Sequence, residues 1–232
     1  MSIKILITGG SSGIGEALAK RLATANNQIY ITGRSESKLQ KISNEINEQN
    51  AECFYMAGDV ASAADVHSIF ADAISKMGGL DVLIANAGTG RFGLIEEMSE
   101  EDFDVQFNTN VKGVFLFIKE AIKLMKEKNA GQIIVTSSNL GLRVRSQCAL
   151  YCATKFAIQG MVGSIREELE DTKVKVAIIN PGAVDTPWFA NSPKDKATML
   201  DVEEVVDALM LIINQGPRSN IDHIHLVPAK TW

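Results

Sequence analysis

The sequence predicts an α/β protein built on a doubly wound, seven-stranded parallel sheet with helices on both faces. Three observations predict it. Apolar runs of strand length alternate with longer amphipathic stretches from one end of the chain to the other. Several of those runs are almost continuously apolar, as strands covered on both faces are. No Pro-rich linker, charge block, low-complexity segment or repeat breaks the alternation, so the 232 residues are expected to form a single domain, 1–232.

In order along the chain, KILIT at 4–8 is the first strand, and the helix at 14–25 follows it after a glycine-rich turn. The pattern continues with a strand at 28–32, a helix at 36–49, a strand at 53–57, a helix at 64–77 and the strand VLIA at 82–85. A long helix is expected at 105–128, preceded by Ser99-Glu-Glu-Asp102, a capping box with Asp in the usual Glu position. Its stripe Val114, Phe115, Phe117, Ile118, Ala121, Ile122 and Met125 reads as core and subunit interface. Strands at 132–137 and 175–180 enclose a helix at 151–169. Asp201 stands where it caps a last helix at 202–214, and the final strand is 223–227. The irregular stretch 181–197 carries Trp188 and Phe189 beyond the sixth strand, where open α/β sheets bind ligands.

With 46% hydrophobic and 22% charged residues, the composition is that of a soluble globular protein. A formal net charge of −5 disfavours nucleic acid as a partner. The opening MSIKILITGG has no signal-peptide pattern, and no apolar run approaches the roughly 18 residues of a membrane span. A cytoplasmic protein without a membrane partner is expected. Cys53, Cys148 and Cys152 are odd in number and lack metal-ligand spacing, so reduced thiols are expected. His223 and His225 stand alone as an H-x-H pair, and no metal is expected.

The first strand runs straight into Thr8-Gly-Gly-Ser-Ser-Gly-Ile-Gly15 and then a helix, the context a dinucleotide-binding turn requires. Gly9, Gly13 and Gly15 permit a tight turn, a close backbone approach to a pyrophosphate, and helix-to-strand packing. The helix N-terminus offers free N–H groups to the phosphates. At the end of the second strand, where NAD-binding folds place an acid for the ribose hydroxyls, this chain has Gly33 followed by Arg34. A guanidinium there can grip a ribose 2′-phosphate, which favours NADP(H) over NAD(H).

Tyr151-Cys-Ala-Thr-Lys155 puts a phenol and an ammonium on one face of a helix. A phenol with an ordinary pKa of about 10 needs help to exchange protons near neutrality, and a nearby cation shifts it downward. Ser138, closing the run Ile133-Ile-Val-Thr-Ser-Ser138, is expected at the carboxyl edge of the sheet, where a carbonyl-polarising hydroxyl belongs. Asn86-Ala-Gly88 ends the fourth strand, and Asn110 can join a buried polar network.

Taken together, these residues resemble the short-chain dehydrogenase/reductase family in its single-domain form. The resemblance spans nearly the whole chain and rests on the turn at 8–15, Asp59-Val60, Asn86-Ala-Gly88, Asn110, Ser138, Tyr151 with Lys155, and Pro181-Gly182. It implies a Rossmann-type fold and reduction of a carbonyl to an alcohol, with Tyr151 as general acid and Ser138 hydrogen-bonding the substrate oxygen. It further implies that Lys155 holds the nicotinamide ribose and lowers the Tyr151 pKa, and that Asn110 holds a water of the proton relay. The dinucleotide would meet Gly9, Ser11, Ser12, Gly13, Ile14 and Gly15 at its pyrophosphate, Asp59 and Val60 at adenine, and Asn86, Ala87 and Gly88 along the adenosine and ribose. Pro181, Gly182, Val184 and Thr186 would embrace the nicotinamide. Ala85 replaces the first Asn of the family's N-N-A-G, and His225-Leu-Val-Pro-Ala-Lys-Thr-Trp232 replaces its glycine-rich tail. A homodimer or homotetramer is expected.

The substrate is expected to be a small carbonyl compound, a ketone, aldehyde or 3-oxoacyl group. Its pocket would be walled by 89–94, 139–150 and 183–197, with Phe92, Leu140, Leu142, Trp188 and Phe189 making it apolar. Arg91, Arg143 and Arg145 stand near its rim. The alternative from another class is a dinucleotide-binding sensor or scaffold without turnover. The joint presence of Asn110, Ser138, Tyr151 and Lys155 favours the enzyme.

Overall fold

In the computed structural model, which describes residues 3–24, 26–49, 51–190 and 195–229, seven strands form one parallel sheet. The strands β1 (Lys4–Thr8), β2 (Gln28–Gly33), β3 (Glu52–Ala57), β4 (Val82–Ala85), β5 (Gly131–Thr136), β6 (Val174–Pro181) and β7 (His223–Leu226) lie in the order 3-2-1-4-5-6-7. The helices are α1 (Gly13–Arg21), α2 (Glu36–Asn47), α3 (Ala63–Met77), α4 (Glu100–Phe107), α5 (Val114–Lys128), α6 (Ala149–Glu168) and α7 (Val202–Ile213). This is the expected doubly wound, Rossmann-type architecture. Strand order reverses between β1 and β4, so the chains leaving their carboxyl ends diverge and open a crevice there.

The period-two alternation of a strand sorts its side chains onto two cores. Ile5, Ile7, Ile29, Ile31, Val82 and Ile84 face one layer with Leu18, Leu39, Leu209 and Ile212 from α1, α2 and α7. Leu6, Tyr30, Leu83, Ile133 and Val135 face the other, with Ile69, Phe117, Ile118, Ile158 and Val162 from α3, α5 and α6. Both faces are buried, which is why the strands read as continuous apolar runs. In the predicted stripe of α5, Val114, Phe117, Ile118, Ala121 and Met125 are buried, whereas Phe115 is 46% exposed.

Several boundaries differ from the sequence expectation. The long helix begins at Glu100, where Ser99 and Asp102 make the capping box, and a π-helical turn at Asn108–Gly113 separates α4 from α5. Such single turns occur mostly at functional sites, and here Asn110 within the turn bonds to Thr89 and Thr154. The first helix stops at Arg21, because the amide of Asn27 caps the Leu22 carbonyl at 3.0 Å; the expected end at Ala25 lies outside the described residues. β5 ends at Thr136, so Ser138 caps a short 3-10 turn (Asn139–Gly141) instead of closing the strand. In the stretch expected to be irregular, Pro181 belongs to β6, and 3-10 turns form at Pro187–Phe189 and Lys196–Thr198; residues 191–194 lie outside the described residues. Asp201 caps α7 as expected and forms a second capping box with Glu204. No helix among the described residues is long and apolar enough to cross a membrane.

Candidate active site

A cleft of about 1550 Å³ lies beyond the carboxyl ends of β1, β4, β5 and β6. Its floor at one end is the glycine turn. Gly9 sits at φ +69°, and a Cβ there would stand 2.9 Å from the Ala87 Cα. A Cβ on Gly15 would come within 2.3 Å of the Gly9 carbonyl oxygen. The turn therefore packs backbone on backbone, and Ser11, Ser12, Gly13 and Ile14 face the cleft while Gly15 is buried beneath. Ser12 precedes α1 without a capping side-chain bond, which leaves the first N–H groups of that helix for a ligand. Arg34 is exposed at the cleft edge beside Gly33 and forms no ion pair among the described residues. Asp59 and Val60 line the same end, Asp59 accepting from the Ala61 N–H at 2.9 Å.

The end of β4 is fixed by β1. The Thr8 hydroxyl accepts from the N–H groups of Asn86 and Ala87, both at 3.0 Å, and the Asn86 amide donates to the Thr8 carbonyl at 3.2 Å. Asn86 thus spends its side chain on holding the turn, while Asn86, Ala87 and Gly88 border the cleft. Asn110, fully buried in the π-helical turn, clamps the next loop. Its carbonyl accepts from the Thr89 N–H at 2.8 Å, and its amide donates to the Thr89 carbonyl at 2.8 Å and to the Thr154 hydroxyl at 3.1 Å. Asn110→Ala leaves both backbone groups of Thr89 unpaired, at a cost of about 2–4 kcal/mol. A melting temperature lowered by roughly 5–15 °C in thermal denaturation is expected, and an unchanged one would contradict the clamp.

Ser138, Tyr151 and Lys155 converge at the centre of the cleft. The Ser138 hydroxyl accepts from the Leu140 N–H at 3.1 Å and donates to the Asn139 side chain at 3.2 Å. Lys155 is buried, donates to the Thr136 carbonyl at 3.1 Å, and places its ammonium 5.6 Å from the centre of the Tyr151 ring. Burial pulls the Lys155 pKa down to about 8. Burial at the phenol end pushes Tyr151 up to about 12, against the lowering effect of the nearby Ser138 hydroxyl. The expected net downward shift of Tyr151 is not found in this chain: desolvation outweighs its neighbours, and Tyr151 is a fully protonated acid at neutral pH.

The loop after β6 closes the far wall. Asp185 N–H donates to the Leu200 carbonyl at 2.9 Å, and Leu200 N–H to the Ala183 carbonyl at 2.8 Å, which pins Val184. Pro181, Gly182, Val184 and Thr186 line the cleft, and a Cβ on Gly13 would touch Thr186 at 3.4 Å, so this loop leans over the glycine turn. Phe92, Leu140, Trp188, Phe189, Arg143 and Arg145 face the cleft as expected. Arg91 instead pairs with Asp102 at 3.5 Å, and Leu142 lies outside the lining. Sequence reasoning missed Asp104, Val105, Asn108 and Thr109, which line the cleft from α4 and the π-helical turn. Asp104 with Asn108 and Val105 with Thr109 are i, i+4 pairs, so all four share one side of the helical run.

The sequence profile of the short chain dehydrogenases matches residues 4–197. The chain belongs to that family. As a short-chain dehydrogenase it is an oxidoreductase. It is 31% identical to a sepiapterin reductase of Chlorobaculum tepidum over 97% of this chain and 96% of the relative. An alcohol dehydrogenase from the archaeon Thermococcus sibiricus, solved with 5-hydroxy-NADP, superposes at a TM-score of 0.93 with 31% identity, covering 100% of this chain and 99% of its own. A 3-ketoacyl-(acyl-carrier-protein) reductase from Brucella melitensis, solved with NADH, reaches 0.88 at 28% identity over 95% of both chains.

Proposed function

We propose that this short-chain dehydrogenase is an NADP(H)-dependent reductase of small carbonyl compounds, working reversibly as an alcohol dehydrogenase, with one dinucleotide-binding and catalytic unit. The observation that carries the reading is that Ser138, Tyr151 and the buried Lys155, whose ammonium lies 5.6 Å from the centre of the Tyr151 ring, line one cleft together with the glycine turn. The residues fit a dinucleotide. The turn at Gly9 and Gly15 has no room for side chains, the N–H groups opening α1 lack a side-chain cap, and both features suit a pyrophosphate. Gly13, Ile14, Ser11 and Ser12 would hold the phosphates, and Asp59, Val60, Asn86, Ala87 and Gly88 the adenosine side. Pro181, Gly182, Val184 and Thr186 would flank the nicotinamide. Arg34 supports the choice of NADP(H), because the position before it is Gly33 and offers no carboxylate to ribose hydroxyls, while the guanidinium stands exposed at the cleft edge. When bound, the nicotinamide supplies the hydride that the carbonyl carbon accepts.

The chain's own residues supply the rest. Tyr151 gives its proton to the carbonyl oxygen, and the Ser138 hydroxyl turns to donate a hydrogen bond to that oxygen. Lys155 sets its charge against the phenolate left behind and takes the nicotinamide ribose hydroxyls. Asn110 holds the loop and π-helical turn beside them, and through its Thr89 clamp orders the site of a relay water. The test is NADPH oxidation across ketones, aldehydes, diketones and 3-oxoacyl thioesters, with sepiapterin included because a relative is named for it. Binding of NADPH with no turnover on any member would support a sensor instead.

The pH dependence follows from the two shifts. Lys155 keeps its charge below about 8 and loses it above, while Tyr151 stays protonated up to about 12. The rate of reduction is therefore expected to be flat through neutrality and to fall as pH rises through about 8. The reverse oxidation, which needs the phenolate, should rise with pH. A kcat/KM profile for reduction that stays level well above the Lys155 pKa would contradict this assignment.

A homodimer or homotetramer is supported by the apolar surface of α4, α5 and α6, where Phe103, Phe115 and Phe156 are each more than 40% exposed. A cytoplasmic setting is supported by three buried cysteines that remain thiols.

A further inference from the structure

The proposed reductase reading leaves the substrate class open, and the mouth of the cleft narrows it. Tyr151 does not stand alone there. The Phe92 ring lies 5.5 Å from it at 61°, and the Trp188 ring lies 6.0 Å from it at 57°. The two flanking rings come from loops far apart in sequence, after β4 and after β6, yet they meet over one residue. A Cβ on Gly90 would stand 2.7 Å from Phe92 Cζ and 2.7 Å from Trp188 Cζ2, so both ring edges rest on bare backbone. The Gly93 N–H donates to the Gln147 carbonyl at 3.0 Å, tying the Phe92 loop to the segment that leads into Tyr151. This is a seated frame of rings.

The frame is also incomplete. Phe92 is 50% exposed and Trp188 42% exposed, and both line the cleft, so broad aromatic faces stay open to water beside the proton donor. Open apolar surface inside a concave site is what a ligand covers. Aromatic faces held at fixed tilts discriminate by ring type: a flat conjugated ring gains stacked and edge-to-face contacts with both, favourable beyond burial, which a puckered saturated ring of equal size lacks. We propose that the substrate of this site, on the reductase reading, is a carbonyl attached to a planar conjugated ring, and that Phe92 and Trp188 are its specificity-determining residues. The reacting carbonyl reaches the Tyr151 hydroxyl while the attached ring lies against the two flanking rings. An extended acyl chain would use little of this frame.

The experiment compares 1-phenyl-1,2-propanedione with 1-cyclohexyl-1,2-propanedione, which share the dione and differ in ring planarity and in conjugation to it, so the change of their ratio on substitution reads the frame. At saturating NADPH the native protein is expected to favour the phenyl compound in kcat/KM by roughly tenfold or more. In Phe92→Leu and in Trp188→Leu, which keep apolar bulk at exposed positions, the phenyl-to-cyclohexyl ratio should fall toward one. A native ratio near one, a ratio that survives both substitutions, or a preference for a 3-oxoacyl thioester over the phenyl diketone would overturn the proposal. If no carbonyl is turned over, the reductase reading fails by itself, and calorimetry on the NADPH-loaded protein decides the frame. Tighter binding of the phenyl compound that is lost in Phe92→Leu upholds it, and equal dissociation constants reject it.

Discussion

Tyr151→Phe should lower kcat for carbonyl reduction by roughly 10²- to 10⁴-fold, the usual contribution of a positioned general acid. The substitution removes one oxygen and keeps the ring. Phe92 and Trp188 therefore keep their partner, and α6 keeps its packing. The dissociation constant for NADPH should change far less than kcat, because Lys155 remains and its ammonium is anchored by the Thr136 carbonyl. The proton donated to the carbonyl oxygen must then come from water, a far weaker acid than a positioned phenol. Comparing kcat with NADPH affinity, measured by fluorescence titration, separates the two roles. Equal loss of both would mean that Tyr151 organises the cleft and does not supply the proton.

The same residue shows where sequence reasoning succeeds and where it stops. Spacing alone put Tyr151 and Lys155 on one helical face, because a helix brings i and i+4 together whatever surrounds it. Spacing could not give the sign of the pKa shift, since burial depends on the walls: desolvation pushes Tyr151 up to about 12, opposite to what a neighbouring cation suggests. The strands were legible for a similar local reason. Leu6 faces one core and Ile5 and Ile7 the other, and burial on both sides writes itself as an unbroken apolar run. The glycine turn was legible because backbone contact at Gly9 and Gly15 tolerates no side chain.

What stayed hidden depends on contacts between distant segments. The π-helical turn at Asn108–Gly113 holds Asn110, which bonds to Thr89 and Thr154, and neither partner lies within its helix. Ser138 looked like the end of a strand because Thr136, Ser137 and Ser138 share strand-like composition. Only its hydrogen bond with the Leu140 N–H marks it as a cap. The meeting of Phe92 and Trp188 over Gly90 needs the ends of β4 and β6 to be brought side by side, which the sheet order does and no local pattern records.

Arg34→Asp should reduce the preference for NADPH over NADH, expressed as the ratio of kcat/KM values, by roughly 10- to 100-fold, the worth of a charge-assisted hydrogen bond to a phosphate. Arg34 is exposed at the cleft edge and unpaired in ion pairs among the described residues, so its guanidinium is free to fork onto a 2′-phosphate without breaking another contact. Aspartate reverses the local sign: it repels a 2′-phosphate and accepts from a free ribose 2′-hydroxyl. Because the position is exposed, salt screens it, and the difference between the native protein and the variant should shrink as ionic strength is raised toward about 1 M, where the Debye length is about 3 Å. Arg34→Lys should fall between the two, since it keeps the charge and loses the planar fork. An unchanged cofactor ratio in Arg34→Asp would remove Arg34 from the binding site and return the choice of dinucleotide to the residues around Gly33, where the Ser11 hydroxyl stands closest.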